Sequence, residues 1–355
     1  MFAGGGFGYV ADYVLWWVAW LSLVVHTWCF FRFFPRKRLR RRALVVGNVL
    51  VTLCLLGVVA IAAESYLRFA AVATDSFGVS LPARRWFALN TKLNSAGYRD
   101  KEWSIAKPPG VRRIAFVGDS FSYGWGITNV AERFTDRIQR RFDEAVPGAV
   151  EVMNVAKPGW GTEQELPPVR DIIARYGVDE IVLCYVSNDI ESLLPVSDDF
   201  DPIRPPDAVW FNVDASCLVD FLYRRVYLPR VPSVRDYHDW LASGFADAAT
   251  WRDHQIQLDA IMGACRDHGV TFRAALLPFI RTSGEKYQAD RLHDTLRRFF
   301  EANNAAVVDL LGTIRAFDPD ELVVNAADSH PNETAHARFA EAIWRAFYNG
   351  SRKPD

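Results

Sequence analysis

Residues 112–126 read RRIAFVGDSFSYGWG. The apolar run 113–117 is a short buried-strand signal, and it passes directly into Gly118, Asp119 and Ser120. A serine on the turn after a buried strand presents its hydroxyl, and a following helix N-terminus would stabilise negative charge beside it. Alone, the tripeptide is a weak signal, because most such serines shape or cap a turn. The fold is decided by the recurrence of the same strand-then-loop unit downstream.

The spacing predicts a helix over 132–145, with Phe134, Ile138, Phe142 and Ala145 along one face. A second strand is expected over 150–155, a helix over 164–176 and a third strand over 180–186. A long helix over 251–268 is closed by Gly269, which suits a helix C-terminus. The fourth strand, 270–277, stops at Pro278; a helix over 285–304 and a fifth strand over 306–310 follow. A last helix is expected over 334–348, with Phe339, Ile343 and Phe347 on one face. This alternation predicts a parallel sheet with helices on both faces. Residues 195–250 break the pattern; they are rich in Asp, Pro and aromatic residues and read as an insertion over the strand ends. In such sheets ligands bind beyond the C-terminal ends of the strands.

The N-terminal part obeys different rules. Residues 13–31, YVLWWVAWLSLVVHTWCFF, are 19 residues without a full charge. Residues 43–63, ALVVGNVLVTLCLLGVVAIAA, are 21 uncharged residues. A membrane-crossing helix needs about 20. Trp16, Trp17, Trp20 and Trp28 suit the headgroup level. The competing reading is a pair of buried core helices, but a soluble domain rarely carries two such runs back to back. Between them, 35–42 reads PRKRLRRR, six basic residues in eight. A nucleic-acid patch is a poor reading of a run placed between two spans. A loop this basic stays in the cytoplasm, so the first span is expected to run outside-to-inside and the second inside-to-outside. Everything after Glu64 then lies outside the cytoplasm. Residues 1–12 lack a basic stretch and no small-residue cleavage site follows the first span, so a retained anchor is expected rather than a cleaved signal.

The whole chain of 355 residues carries a net charge of −1, with 23% charged and 50% hydrophobic residues. That excludes a nucleic-acid binder with a broad basic face and an acidic disordered chain. The average hides a split. Residues 1–42 hold seven basic residues and one acidic, a net +6, and the rest carries −7. The expected organisation is an anchor over 1–63, a connector over 64–110 and a catalytic domain over 111–350.

Three further loops carry chemistry. After strand two comes NVAKPGWGT, 154–162. Gly159 there either turns an N–H toward a ligand or makes an ordinary turn. After strand three, Asn188 either aims its amide at a developing oxyanion or caps the next helix. Before the last helix, Asp328, Ser329, His330 and Pro331 form either a proline turn holding a general base beside its carboxylate, or a surface turn. His336 and Asp309 read as structural, and Asp119 and Asp189 as acceptors that shape their loops. Trp125 and Trp160 line a pocket or cover the sheet edge. Asp198, Asp199 and Asp201 lack calcium-loop spacing. Cys29 and Cys54 fall in the spans. Cys184, Cys217 and Cys265 show neither metal-ligand nor disulfide spacing, and Cys184 reads as an inert core thiol.

The order Ser, Gly, Asn, Asp-x-His along one sheet edge is far more informative than any single motif. In it the chain resembles the SGNH/GDSL hydrolase superfamily over about residues 94–348, with blocks at 118–120, Gly159, Asn188 and Asp328 with His330. A lead-in, NSAGYRD at 94–100, is similar to that of membrane-anchored bacterial members. The third block reads Ser-Asn-Asp where many members have Gly-x-Asn-Asp. The acid stands two residues before the histidine, where many have three. The resemblance implies a flavodoxin-like three-layer α/β domain with a five-stranded parallel sheet. It implies Ser120 as nucleophile, His330 as base and Asp328 as its orienting acid. The Ser120 and Gly159 N–H groups and the Asn188 side chain would form the oxyanion hole, with no metal and no cofactor.

The expected activity is hydrolysis of an acyl ester by a membrane-tethered, extracytoplasmic serine esterase. The substrate is an acyl ester, of a carbohydrate or a lipid, and nucleic acid is not a partner. Two other readings use the same chain: an O-acyltransferase that modifies an envelope polysaccharide with a membrane-protein partner, or a non-catalytic binding module. Intact Ser120, Asn188, Asp328 and His330 speak against the last.

Overall fold

The computed structural model describes residues 8–33, 41–195, 216–282 and 288–349. Most of the basic run at 35–42, the acidic stretch at 198–201 and part of the insertion therefore lie outside the described residues. The chain divides into two compact units. One comprises Met1–Ala73, Gly78–Trp86 and Asp201–Val231; the other comprises Thr74–Phe77, Phe87–Phe200 and Pro232–Asp355.

The first unit is built on two helices, Gly8–Phe33 and Arg41–Phe69. They pair antiparallel. Trp20 Nε1 donates to the Cys54 carbonyl at 2.9 Å, and the Tyr13 and Ser65 hydroxyls meet at 2.7 Å. Gly47 lies against Phe31 and Gly57 against Trp20, where a Cβ would collide with the ring. Both helices are long and apolar enough to cross a bilayer. Their apolar side chains are not buried in protein: Leu15, Leu55 and Val59 are each more than 60% exposed. In a soluble core helix those positions would be covered.

The second unit is the three-layer sheet. Strands β1 (Arg112–Gly118), β2 (Val150–Ala156), β3 (Glu180–Tyr185), β4 (Thr271–Leu276) and β5 (Ala306–Asp309) are all parallel, in the order β2-β1-β3-β4-β5. Side chains alternate along each strand, so one sheet faces two cores. Ala115, Val117, Met153, Val155, Ile181 and Leu183 face helices Thr162–Tyr176, Ala248–Asp267 and Ala289–Ala302. Ile114, Phe116, Val152, Val182 and Cys184 face helices Phe134–Ala145 and Glu333–Phe347. The apolar faces counted from the sequence at Phe134, Ile138, Phe142, Phe339 and Ile343 are those buried there.

Three features differ from the sequence reading. The segment 64–110 is more ordered than a connector: the second apolar helix runs on to Phe69, and Leu81–Asn90 is helical. The helix after Ser120 is a single turn, Ser120–Tyr123, ended by Gly124 at φ +73°. Its dipole is correspondingly small, since the macrodipole sums over aligned peptides. The Asp328–Pro331 segment is not a turn but strand β7, paired antiparallel with β6 (Val323–Asn325). Asn332 then caps the last helix, its Oδ1 accepting from the Thr334 and Ala335 N–H groups.

Candidate active site

The register of the sheet explains why residues far apart in sequence converge. Gly118, the last residue of β1, stands opposite Ala156 of β2 on one side and Cys184 of β3 on the other. The loops bearing Ser120, Gly159 and Asn188 thus leave three adjacent strands at the same level. Because the strands are parallel, all three leave from one edge.

Ser120 follows Asp119, whose carboxylate accepts from the Phe121 N–H at 2.9 Å and caps the short helix. Gly118 is required by space: a Cβ there would meet the Cys184 carbonyl at 3.0 Å. His330 Nε2 lies 2.9 Å from Ser120 Oγ, and His330 Nδ1 lies 2.6 Å from Asp328 Oδ1. With Asp328 accepting from Nδ1–H, Nε2 is left as the acceptor for the serine proton. The same Asp328 oxygen accepts the His330 backbone N–H at 3.1 Å, which fixes the two residues as a unit. Asp328 is fully buried and Ser120 and His330 are nearly so. Burial raises the Asp328 pKa, but the His330 charge and hydrogen bonds outweigh it and hold the carboxyl below its usual value. It is therefore ionised at neutral pH.

Among the described residues, neither the Ser120 nor the Gly159 backbone N–H donates to a protein carbonyl. Gly159 sits at φ +76° with open space where a Cβ would be, a backbone conformation that favours glycine. Asn188 stands in a 3-10 turn after β3; its Nδ2 donates to Asp119 Oδ2 at 3.4 Å. An amide nitrogen carries two protons, so one remains.

The two tryptophans separate. Trp125 is buried and stacks on the His330 ring, centroids 5.1 Å apart and 24° between planes. Its Nε1 donates to the Asp75 carbonyl at 3.1 Å. Phe121 meets the same imidazole edge-on at 5.4 Å. Trp160 packs on Tyr98 and under the Lys157 ammonium instead. His336 is structural: it accepts from the Phe134 N–H, stacks on that ring, and burial with neighbouring arginines lowers its pKa to about 3. Asp309 pairs with His293 at 2.7 Å. Cys184, Cys217 and Cys265 are free and buried, and burial pushes their thiols up.

Two features escaped the sequence reading. Arg99, in the lead-in, is almost fully buried; it donates to the Gly124 carbonyl at 2.8 Å and the Ile127 carbonyl at 2.6 Å in the loop after Ser120, and to the Asn90 carbonyl at the end of helix Leu81–Asn90 at 3.1 Å. Arg133 ties it down by donating to the Arg99 carbonyl at 2.5 Å. Nothing in the spacing of Arg99 announces which carbonyls it meets. The second is Glu165, buried on helix Thr162–Tyr176 with neither carboxylate oxygen partnered. Burial, then the Asp119 charge, pushes its pKa up to about 8. Asp189 is likewise raised by burial and by these neighbours, and Asp119 by burial.

The model of the GDSL-like lipase/acylhydrolase family matches residues 116–338. No curated protein matches the chain. Among solved structures it is similar to the lipase Lip_vut3 from a goat rumen metagenome, at 16% identity and TM-score 0.44, over 68% of this chain and 100% of that one. It is also similar to the psychrotrophic esterase EstA from Pseudoalteromonas sp., at 13% and 0.42, over 66% and 96%. A catalytic mutant of Axe2, an acetylxylan esterase from Geobacillus stearothermophilus, matches at 14% and 0.40, over 70% and 100%. With its family model spanning β1 to the last helix, the chain belongs to the GDSL-like lipase/acylhydrolase family and is a serine hydrolase acting on ester bonds.

Proposed function

We propose that this protein is a membrane-anchored esterase that works outside the cytoplasm and cleaves an acyl ester through an acyl-Ser120 intermediate. The observation that carries the reading is the aligned contact chain: Ser120 Oγ to His330 Nε2 at 2.9 Å and His330 Nδ1 to Asp328 at 2.6 Å. In the first half-reaction Ser120 Oγ attacks the ester carbonyl carbon while its proton passes to His330 Nε2. Asp328 stabilises the imidazolium. The developing oxyanion is met by the Ser120 and Gly159 N–H groups and the free proton of the Asn188 amide. The tetrahedral species collapses as His330 returns the proton to the leaving alcohol. A water molecule then attacks the acyl carbon, deprotonated by His330, and the acid departs from Ser120.

The anchor and its direction are supported by the two exposed apolar helices and by the six basic residues at 35–42, which hold the intervening loop in the cytoplasm. Both termini then face outward.

Full-length chain in detergent, incubated with a short-chain p-nitrophenyl ester and a fluorophosphonate label, tests the chemistry. Wild type should hydrolyse the ester and take one label, and Ser120→Ala should do neither. A Ser120→Ala variant as active as wild type would remove the nucleophile assignment. Acyl transfer to an added oligosaccharide faster than hydrolysis would replace the esterase by a transferase built on the same acyl-serine. A reporter active only outside the cytoplasm, fused after Asp355, should be active; silence would reverse the orientation.

A further inference from the structure

Glu64 is the first charged residue after the 21 uncharged residues at 43–63. At 1.5 Å per residue that run is about 31 Å long, close to the thickness of a bilayer's hydrocarbon core. Glu64 therefore leaves the hydrocarbon at its boundary. It is nonetheless buried, and so is Arg68, which donates to it at 2.7 Å. What covers Glu64 is the segment that begins at Ser216. Its carboxylate accepts from the Ser216 hydroxyl at 2.8 Å, the Cys217 N–H at 3.1 Å and the Leu218 N–H at 2.7 Å. Hydrogen bonds to an ionised acceptor are the strong ones. They pin the start of helix Cys217–Leu222 to the membrane-proximal end of the second apolar helix.

The segment fixed there has an unusual surface. Cys217, Tyr223 and Leu228 are buried. Phe221, Leu222, Val226 and Tyr227 are each about half exposed, at 45, 49, 50 and 49%. Arg225 and Arg230 are exposed among them. Tyr66 and Phe69, on the end of the apolar helix itself, are 63% and 58% exposed. Large apolar and aromatic side chains interleaved with arginine are the composition of a bilayer's headgroup layer: rings at the acyl boundary and guanidinium groups at phosphates.

We propose that residues 217–230 lie in the headgroup layer of the same bilayer, with Phe221, Leu222, Val226 and Tyr227 entering the acyl boundary and Arg225 and Arg230 meeting lipid phosphates. The occupant of this surface is phospholipid, because the surface is continuous with the apolar helix and Glu64 sets its depth. The proposal rests on the reading of the two helices as membrane spans.

The test uses the full-length chain in vesicles of phosphatidylethanolamine and phosphatidylglycerol. Photo-reactive p-benzoylphenylalanine is placed in turn at Phe221, Tyr227, Leu55 in the apolar helix and Ile256 in the other unit. On illumination, lipid adducts should form at Leu55, Phe221 and Tyr227, about tenfold above Ile256. Arg225→Glu with Arg230→Glu should reduce the adduct at Phe221 and leave that at Leu55 unchanged. Adducts at Leu55 with none at Phe221 and Tyr227 would overturn this proposal and leave the anchor standing. No adduct even at Leu55 would overturn the anchor and the proposal together. A cross-link between two copies of the chain at Phe221 would replace phospholipid by a second subunit.

Discussion

Two kinds of buried acid stand near the C-terminal edge of one sheet. Asp328 is fully buried, yet its carboxyl is held below the usual range, because its partner is His330. Glu165 and Asp189 are also fully buried, and their carboxyls are pushed up. Glu165 lacks donors on both oxygens, and Asp189 has one oxygen bonded to the Val186 N–H and one bare. Burial is the same in the two places, so burial does not set the charge. Donors do. The carboxyl beside the His330 imidazole is thus favoured as an anion, and those of Glu165 and Asp189 are favoured as neutral acids.

Asp328→Asn keeps the shape and removes the charge, and turnover of a p-nitrophenyl ester should fall by about 10⁴. A loss under tenfold would mean that Asp328 serves only packing. On the other side of the serine, Asn188→Ala should lower kcat by about 10² to 10³ with little change in KM. An effect on KM alone would return Asn188 to a loop-shaping role.

Glu165 gives the converse test. In the fold, burial and then the Asp119 charge push its carboxyl from the usual 4.5 up to about 8. Across that window the folded chain binds more protons, so stability falls as pH rises, by up to a few kcal/mol at about 1.4 kcal/mol per pH unit. Glu165→Gln removes the titration. Melting in detergent should show the variant losing less stability than wild type between about pH 5 and about pH 8. Parallel curves would mean that Glu165 is solvated or ionised in the fold. The smallest effect belongs to Trp125→Leu, which deletes the ring stacked on His330. An aromatic pair contributes about 0.5–1.5 kcal/mol, so kcat should drop by roughly tenfold or less. A kcat equal to that of wild type would confine Trp125 to covering the sheet edge.

The sheet was legible in the sequence because each strand is a short apolar run closed by Gly, Pro or Asn, and each helix buries a stripe of period 3.6. Ser120, Gly159 and Asn188 were legible as candidates because strand ends in a parallel sheet share an edge, and His330 because it stands two residues from Asp328. The Asp328–His330 strand was misread as a turn, because Pro331 is a turn signal that an edge strand also tolerates. Arg99 was passed over because its partners are backbone carbonyls, which leave no mark on the sequence. Glu165 reads as an ordinary surface residue in the first turn of a helix, and only packing removes it from water.

What the sequence determines by itself is therefore local and periodic: two apolar runs joined by a basic stretch, five strands alternating with helices, and four segments carrying candidate site residues. These follow from nearest-neighbour chemistry and from the pitch of helix and strand. The tertiary structure alone decides which carboxylates are charged, which ring stacks on the imidazole, and that the segment at 216–230 closes over Glu64. Each of these depends on desolvation and on partners from distant parts of the chain, and neither quantity is encoded in the spacing of residues along it.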